Sequence, residues 1–346
     1  MAIVNSRPTI TRKELEGVLD CLISDRLEAG ETVKNFESRL SELLSIKYCL
    51  ALTSLTAAYH CAFAALEIQP GDEVIIPSYF DPSPLNALML AGGTPVLVDM
   101  EENTLAPDLE QIRGKITEKT RAIVIKHFMG FILPLETIVE TGVPIIEDIS
   151  HAVGTESDDR PIGQCGIITV ASFAPSMIIT TGNGGMAATS NSRLFSRMRD
   201  LRGTGSSDSG PCCEYGMTDF QGAMGISQLS RLRDFLNRRR DIARIYYGAL
   251  QLTPHRTIYG FNEAFAYQSF PVLFDAPQEK IEKYWKKIGV ELHRPVKEPL
   301  HRLLNLRPMD FPHSDRMAKK LYSLPLYPTL TKKEIDKIAL SLGRFI

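Results

Sequence analysis

The chain of 346 residues has no lysine between Lys126 and Lys280, so a long central stretch offers no side-chain amine for imine chemistry. Other scarcities narrow the field. The six cysteines, at 21, 49, 61, 165, 212 and 213, form no CxxC pair and accompany no histidine cluster. The ligand spacing of a metal centre is therefore missing, and no metal is expected. The vicinal pair Cys212-Cys213, beside the Gly/Ser-rich run 203–210, reads as reduced loop cysteines in a reducing cytosol. An excess of one charge is missing too: 39 Lys and Arg stand against 41 Asp and Glu, a net −2. That balance argues against nucleic acid or an acidic membrane as partner. No apolar run approaches the roughly 18 residues that span a bilayer. The opening segment, Met1 to Pro8, lacks the apolar core of a signal peptide. A cytoplasmic protein is expected.

What is present reads as a globular core: 44% hydrophobic and 23% charged residues are ordinary values, and the length suggests two domains. Residues 11–44 read as helical, with Thr11 and Glu14 forming a capping box and Leu15, Val18, Leu19 and Leu22 recurring at helical spacing. Short apolar strands follow at 48–52, 73–76, 95–98, 122–126, 144–146 and 168–172, with helices at 57–66 and 84–91. Such alternation predicts an α/β fold, a mostly parallel sheet sandwiched by helices. Near residue 220 the pattern changes to one long helix, about 219–250. A smaller α+β region follows, with a strand over 266–273 and helices over 278–288 and 332–342. We expect a large domain over 1–235 and a small one over 236–346, bridged by the long helix. The basic run Arg231, Arg233, Arg238, Arg239, Arg240 and Arg244 is interleaved with Asp234 and Asp241, which favours a solvated, salt-bridged helix face over a polyanion site.

In open parallel sheets, ligands bind beyond the carboxyl ends of the strands, where helix N-termini present free amides. Four segments map there: Ser54 to Ala57, His127 to Gly130, Glu147 to Ala152, and Ser172 to Met177. An acidic residue closing a buried strand, as in Ile145-Ile146-Glu147-Asp148, needs a partner such as a protonated ring nitrogen or an arginine. Taken singly, each motif is weak, since a helix cap explains Asp148 or Thr56 as well.

The order of these motifs resembles the nucleotide-sugar aminotransferases of the DegT/StrS kind, which are fold-type I pyridoxal-phosphate enzymes with the aspartate-aminotransferase architecture. The resemblance runs from Leu27-Glu28-Ala29-Gly30 through Gly71-Asp72-Glu73-Val74, His127-Phe128-Met129-Gly130, Glu147 to Gly154 and Gly182-Asn183-Gly184-Gly185, to Leu324-Pro325-Leu326-Tyr327-Pro328. It implies a cofactor held as an aldimine by a lysine, with a carboxylate on the pyridine nitrogen and a phosphate cup. By that resemblance Asp148 would partner the pyridine nitrogen, His151 would lie near the ring hydroxyl, Thr56 and Ser172 would serve the phosphate, and Ala57 would also be at the cofactor.

Other positions depart from the pattern. Met177 stands in Ser172-Phe173-Ala174-Pro175-Ser176-Met177 where the family's lysine belongs, and Lys126, beside His127 on a strand, should face the opposite way from that histidine. Leu55 replaces a phosphate-cup glycine and Asp81 the stacking aromatic. Glu214 replaces an asparagine offered to the neighbouring subunit's phosphate, and Gly216 an arginine. A carboxylate about 4 Å from a phosphate costs roughly 1–4 kcal/mol, so pyridoxal phosphate is expected to bind weakly or not at all. The expectation is a non-catalytic relative that binds a sugar or nucleotide sugar, or the silent partner of an active homologue, in a homodimer or heterodimer. Two alternatives stand beside it. One is a dehydratase-like enzyme that uses the cofactor without a Schiff base, with His127 or His151 as acid/base. The other is an aminotransferase that borrows a partner's lysine.

Overall fold

Seven short strands form the central sheet of the computed structural model, which describes residues 2–157, 160–203 and 212–345. They are β1 (Tyr48–Leu52), β2 (Glu73–Pro77), β3 (Thr94–Val98), β4 (Thr120–Lys126), β5 (Ile145–Asp148), β6 (Ile168–Ser172) and β7 (Gly185–Thr189). Their order across the sheet is β1-β7-β6-β5-β4-β2-β3. The pairs from β3 through β2, β4 and β5 to β6 are parallel, while β7 runs antiparallel to both β1 and β6. Every residue of β5, β6 and β7 is buried, as strands covered on both faces must be. Strand β7, Gly-Met-Ala-Ala-Thr, escapes a sequence reading because small residues carry little strand preference. Its Gly185 is required for space: a Cβ there would lie 2.4 Å from the Ser54 carbonyl oxygen. That close approach sets the turn into the helix α3 (Leu55–Ala65) beside the strand ends.

The helical stretch expected over 11–44 is two helices, Arg12–Ile23 (α1) and Glu31–Leu44 (α2). The capping box at Thr11 and Glu14 is formed, with the Thr11 N–H donating to Glu14 Oε2 at 2.7 Å. The buried face of α1 is not the leucine stripe, however. Glu14 and Cys21 are buried, while Leu15, Leu19, Leu22 and Ile23 are 48–74% exposed. Glu14 Oε1 accepts from Gln228 Nε2 and Arg231 Nη1, both at 2.9 Å, and these bonds fix which side of α1 turns inward.

The helix expected over 219–250 also breaks in two, Asp219–Leu229 (α5) and Leu232–Leu250 (α6), with α4 (Ser83–Ala91) earlier in the chain. Asp219 caps the start of α2 by accepting from the Gly30 and Val33 amides at 2.8 and 2.9 Å. Beyond α6 lies a two-stranded antiparallel sheet of β8 (Phe270–Leu273) and β9 (Leu321–Leu324), flanked by helices Gln278–Lys287 and Lys332–Arg344. No helix among the described residues is long and apolar enough to cross a membrane. Of the run 203–210, only Gly203 lies within the described residues.

The arginines of α6 are not one solvated face. Arg244 pairs with Asp241 and Glu263 as a solvated side chain does, but Arg239 is buried. Its Nη1 donates to the carbonyls of Tyr267, Gln268 and Leu326 at 3.3, 2.8 and 2.7 Å, and burial lowers its pKa to about 10. One guanidinium therefore ties α6 to the chain entering β8 and to the segment after β9. Replacing Arg239 with Met keeps the apolar stem and orphans three carbonyls. We expect a loss of about 2–5 kcal/mol in urea unfolding, against less than about 0.5 kcal/mol for Arg233→Met on the exposed face.

Candidate functional site

The carboxyl ends of β4, β5 and β6 and the N-terminus of α3 converge on a cavity of about 550 Å³. Strand alternation decides what enters it. Lys126 closes β4 directly opposite Asp148 of β5, so the two side chains share a face. The Lys126 ammonium lies 3.3 Å from Asp148 Oδ2 and 2.7 Å from Asp81 Oδ2. It also sits 5.2 and 5.4 Å from the ring centres of Phe80 and Phe128, within cation–π range. Asp148 is fully buried and otherwise satisfied: Tyr59 Oη donates to Oδ2 at 2.8 Å and the Ser150 amide to Oδ1 at 2.8 Å. Burial alone would lower the lysine's pKa, but the charges of Asp148 and Asp81 outweigh it and the pKa is raised. For Asp81, burial opposes ionisation. The Lys126 charge and hydrogen bond, with the Ser83 amide at 3.1 Å, hold it at about 2.

The opposite face carries a second buried pair. His127 Nε2 lies 3.0 Å from Glu147 Oε1, and His127 Nδ1 accepts from the Leu133 amide at 3.0 Å. That places the proton of neutral His127 on Nε2. Glu147 also takes amides from Gly163, Cys165 and Gly166 at 2.8–3.0 Å. Burial pushes its pKa up, and the His127 hydrogen bond with the Gly166 and Cys165 amides brings it below the ordinary value. Lys126 and His127 thus face opposite ways, and it is the lysine that reaches the cavity. His127, a candidate acid/base from sequence, is committed on both nitrogens away from it.

His151 does line the cavity. Its Nδ1 accepts from the Met129 amide at 2.9 Å, so the proton of the neutral ring is on Nε2. Burial first, then the Lys126 charge, drives its pKa well below the ordinary value. It is a fixed neutral donor, not a poised base. The loop that supplies this amide is tight: Met129 has φ 56°, and a Cβ on Gly130 (φ 87°) would lie 2.7 Å from the Tyr267 nitrogen.

Thr56, Leu55, Ser172, Asp81 and Met177 all line the cavity, as their positions in the motifs suggest. Ala57 is buried behind it, and its amide is taken by Ser54 Oγ at 3.1 Å, the cap of α3. Glu214 is exposed and Gly216 bridges to Leu52; neither lines the cavity. Asp81, expected in the place of the stacking aromatic, lines the cavity with its carboxylate on Lys126. Sequence reasoning missed Lys126 as a site residue. The available signal was a charged residue ending a buried strand beside another strand that ends in Asp148, which demands pairing. Asn5, Glu291 and His293, from distant segments, also line the cavity and carry no motif.

Residues 8–343 match the model of the DegT/DnrJ/EryC1/StrS aminotransferase family. The chain belongs to this family. Among its relatives, the GDP-perosamine synthase of Escherichia coli O157:H7 is 29% identical over 98% of this chain and 97% of its own. The spore coat polysaccharide biosynthesis protein SpsC of Bacillus subtilis (strain 168) is 30% identical over 96% of this chain and 94% of its own. The DegT/DnrJ/EryC1/StrS fold is matched in solved structures as well. The PMP-form of the putative sugar aminotransferase Spr1654 from Streptococcus pneumoniae superposes with a TM-score of 0.94 at 24% identity, covering 100% of this chain and 98% of that one. The aminotransferase TlmJ from Streptoalloteichus hindustanus gives 0.90 at 26% identity, covering 99% and 98%.

The buried cluster makes a pH-dependent prediction. Asp81, with its pKa held at about 2, contributes stability that is full above its ordinary value near 3.9 and lost as pH falls through about 2. Replacing Lys126 with Met leaves Asp81 and Asp148 without their cation; Asp81 then loses what holds its pKa down, and its protonation becomes a route to relief. Lys126→Met should cost about 3–5 kcal/mol near neutral pH, and that cost should shrink as pH is lowered toward about 4.5. Urea unfolding of both proteins at the two pH values measures it; a pH-independent difference would contradict the assignment.

Proposed function

We propose that this chain is a family member that does not transaminate: a protein that binds a sugar or nucleotide sugar, or the silent subunit of an active homologue, in polysaccharide or antibiotic sugar metabolism. One observation carries the reading. The carboxylate that the family resemblance assigns to the cofactor's pyridine nitrogen, Asp148, is already bound to the ammonium of Lys126. Pyridoxal phosphate, where bound, supplies an electron sink for carbon acids next to nitrogen. The residues of this cavity do not fit it. Both Asp148 oxygens are engaged, by Lys126 and Tyr59 on one and Ser150 on the other, so a protonated ring nitrogen would have to expel a buried ammonium. Met177, at the lysine position of the pattern, has a thioether that neither forms an imine nor carries a proton. Leu55 adds bulk at the phosphate end, where backbone must approach an anion. The misfit at Asp81 arises less from repulsion than from the lysine it helps to hold.

A cofactor-dependent reaction with a histidine base has less support. His127 points away from the cavity, and His151 offers a proton on Nε2, not a lone pair. The same reading includes a partner subunit, a second copy or a homologue, and the exposed apolar stripe of α1 favours a covered face there. Light scattering of the purified chain should give a dimer, and Leu19→Glu with Ile23→Glu should shift it toward monomer without lowering helix content.

Titration with pyridoxal phosphate followed by borohydride reduction tests the central claim. The natural chain should give no saturable aldimine absorbance and no trapped lysine adduct. Met177→Lys alone should give little, because the ammonium of Lys126 still holds Asp148. Met177→Lys combined with Lys126→Val and Asp81→Phe should gain a trapped adduct on the new lysine. Saturable binding with an adduct in the natural chain would overturn the reading.

A further inference from the structure

We infer that the cavity takes a hydroxyl-rich ligand without negative charge, a neutral or amino sugar of one or two rings, in the space where the family's cofactor would lie. This rests on the reading above and names the ligand class of that same site. The first support is the charge balance. Asp81 and Glu291 line the cavity and Asp148 lies directly behind it, against a single ammonium, Lys126. No arginine is among the described residues that line it. The two lining histidines add no positive charge: burial, then the Lys126 charge, keeps His151 neutral, and burial lowers the pKa of His293. A phosphate or carboxylate would therefore meet more carboxylates than cations among the side chains at the cavity. Lys126 is no free counter-ion, since turning toward a ligand would strand two carboxylates, one of them fully buried.

The second support is the kind of polar group left on the wall. Hydroxyls and amides dominate: Ser54, Thr56, Ser172 and Ser176 stand with Asn183 and Gln268. Groups that both donate and accept suit a ligand made of hydroxyls, each of which needs both roles. His151 adds a donor of fixed direction, because the Met129 amide holds its other nitrogen. Between these groups, Leu55, Met177 and Val296 give apolar surface against which the C–H face of a sugar ring can lie. The methionine that cannot act as a catalyst then has a contact role. At about 550 Å³ the cavity falls within the usual range of roughly 300–1,000 Å³ for small-molecule sites.

The test uses the full chain with five probes: methyl α-glucoside, N-acetylglucosamine, glucosamine, glucose 6-phosphate and pyridoxal phosphate. Saturation-transfer NMR reports contact and calorimetry reports affinity. At least one neutral or amino sugar should bind with a Kd of about 1 mM or tighter, and glucose 6-phosphate should bind at least about tenfold more weakly than that sugar. Asn183→Leu, at an exposed position, should weaken sugar binding about fivefold or more while leaving the melting temperature unchanged. His151→Gln should do the same if folded, and Asn183→Leu carries the test if it is not. Glucose 6-phosphate binding as tightly as the neutral sugars would overturn the inference. So would failure of all three uncharged or amino sugars to bind, an outcome that leaves the non-transaminating reading standing. Saturable binding of pyridoxal phosphate would overturn both.

Discussion

A lysine ammonium held between two carboxylates at the floor of a cavity is the constraint on which this site depends. Moving such a charge out of water costs several kcal/mol, and one ion pair rarely repays it. Lys126 has two carboxylates and two aromatic rings around it, and the carboxylates have donors of their own in Tyr59, Ser150 and Ser83. Asp81 lies just before α4, where the positive end of the helix dipole also favours an anion. The cluster is thus complete before any ligand arrives. The carboxylate that the family resemblance assigns to the cofactor's ring nitrogen lies 3.3 Å from a cation of the chain's own.

The two faces of the β4–β5 pair divide the labour. On one face Lys126 and Asp148 meet across directly paired residues; on the other, His127 and Glu147 fasten the strand ends to the turn at Gly163–Gly166. The second network has no opening toward the cavity, yet it fixes the backbone of residues whose alternate neighbours form the floor. A one-residue slip would exchange the two sets and bury each carboxylate without its partner. Register is therefore specified by charge as well as by apolar pattern.

Much of the fold was legible because alternation of apolar strands with helices survives without context, and β1 to β6 lie close to where the pattern puts them. The failures have local causes. The stripe Leu15, Leu19, Leu22 reads as a buried face, but Glu14, anchored by Gln228 and Arg231, outranks it and turns it outward. The helix over 219–250 breaks at Ser230 and Arg231 with no glycine or proline to announce it. Strand β7 is too rich in small residues to be seen. In the site, motif order placed Thr56, Asp148, His151, Ser172 and Met177 together, and it placed His127 there wrongly, since a motif does not state which face of a strand a residue takes.

Lys126 shows why the remainder could not be read. In sequence it stands beside His127, and alternation says that only one of the two can reach the cavity. Deciding which requires the register of β4 against β5, a relation between segments about twenty residues apart that no local pattern encodes. Once the register is known, the rest follows from electrostatics. A buried ammonium opposite a buried carboxylate must pair with it, a second carboxylate at Asp81 becomes affordable, and the histidine is left to Glu147. Asp81 and Met177, read together in sequence as departures at one site, do line one cavity. The floor of the cavity has its own cation, and Met177 lines its wall where the family pattern places an amine.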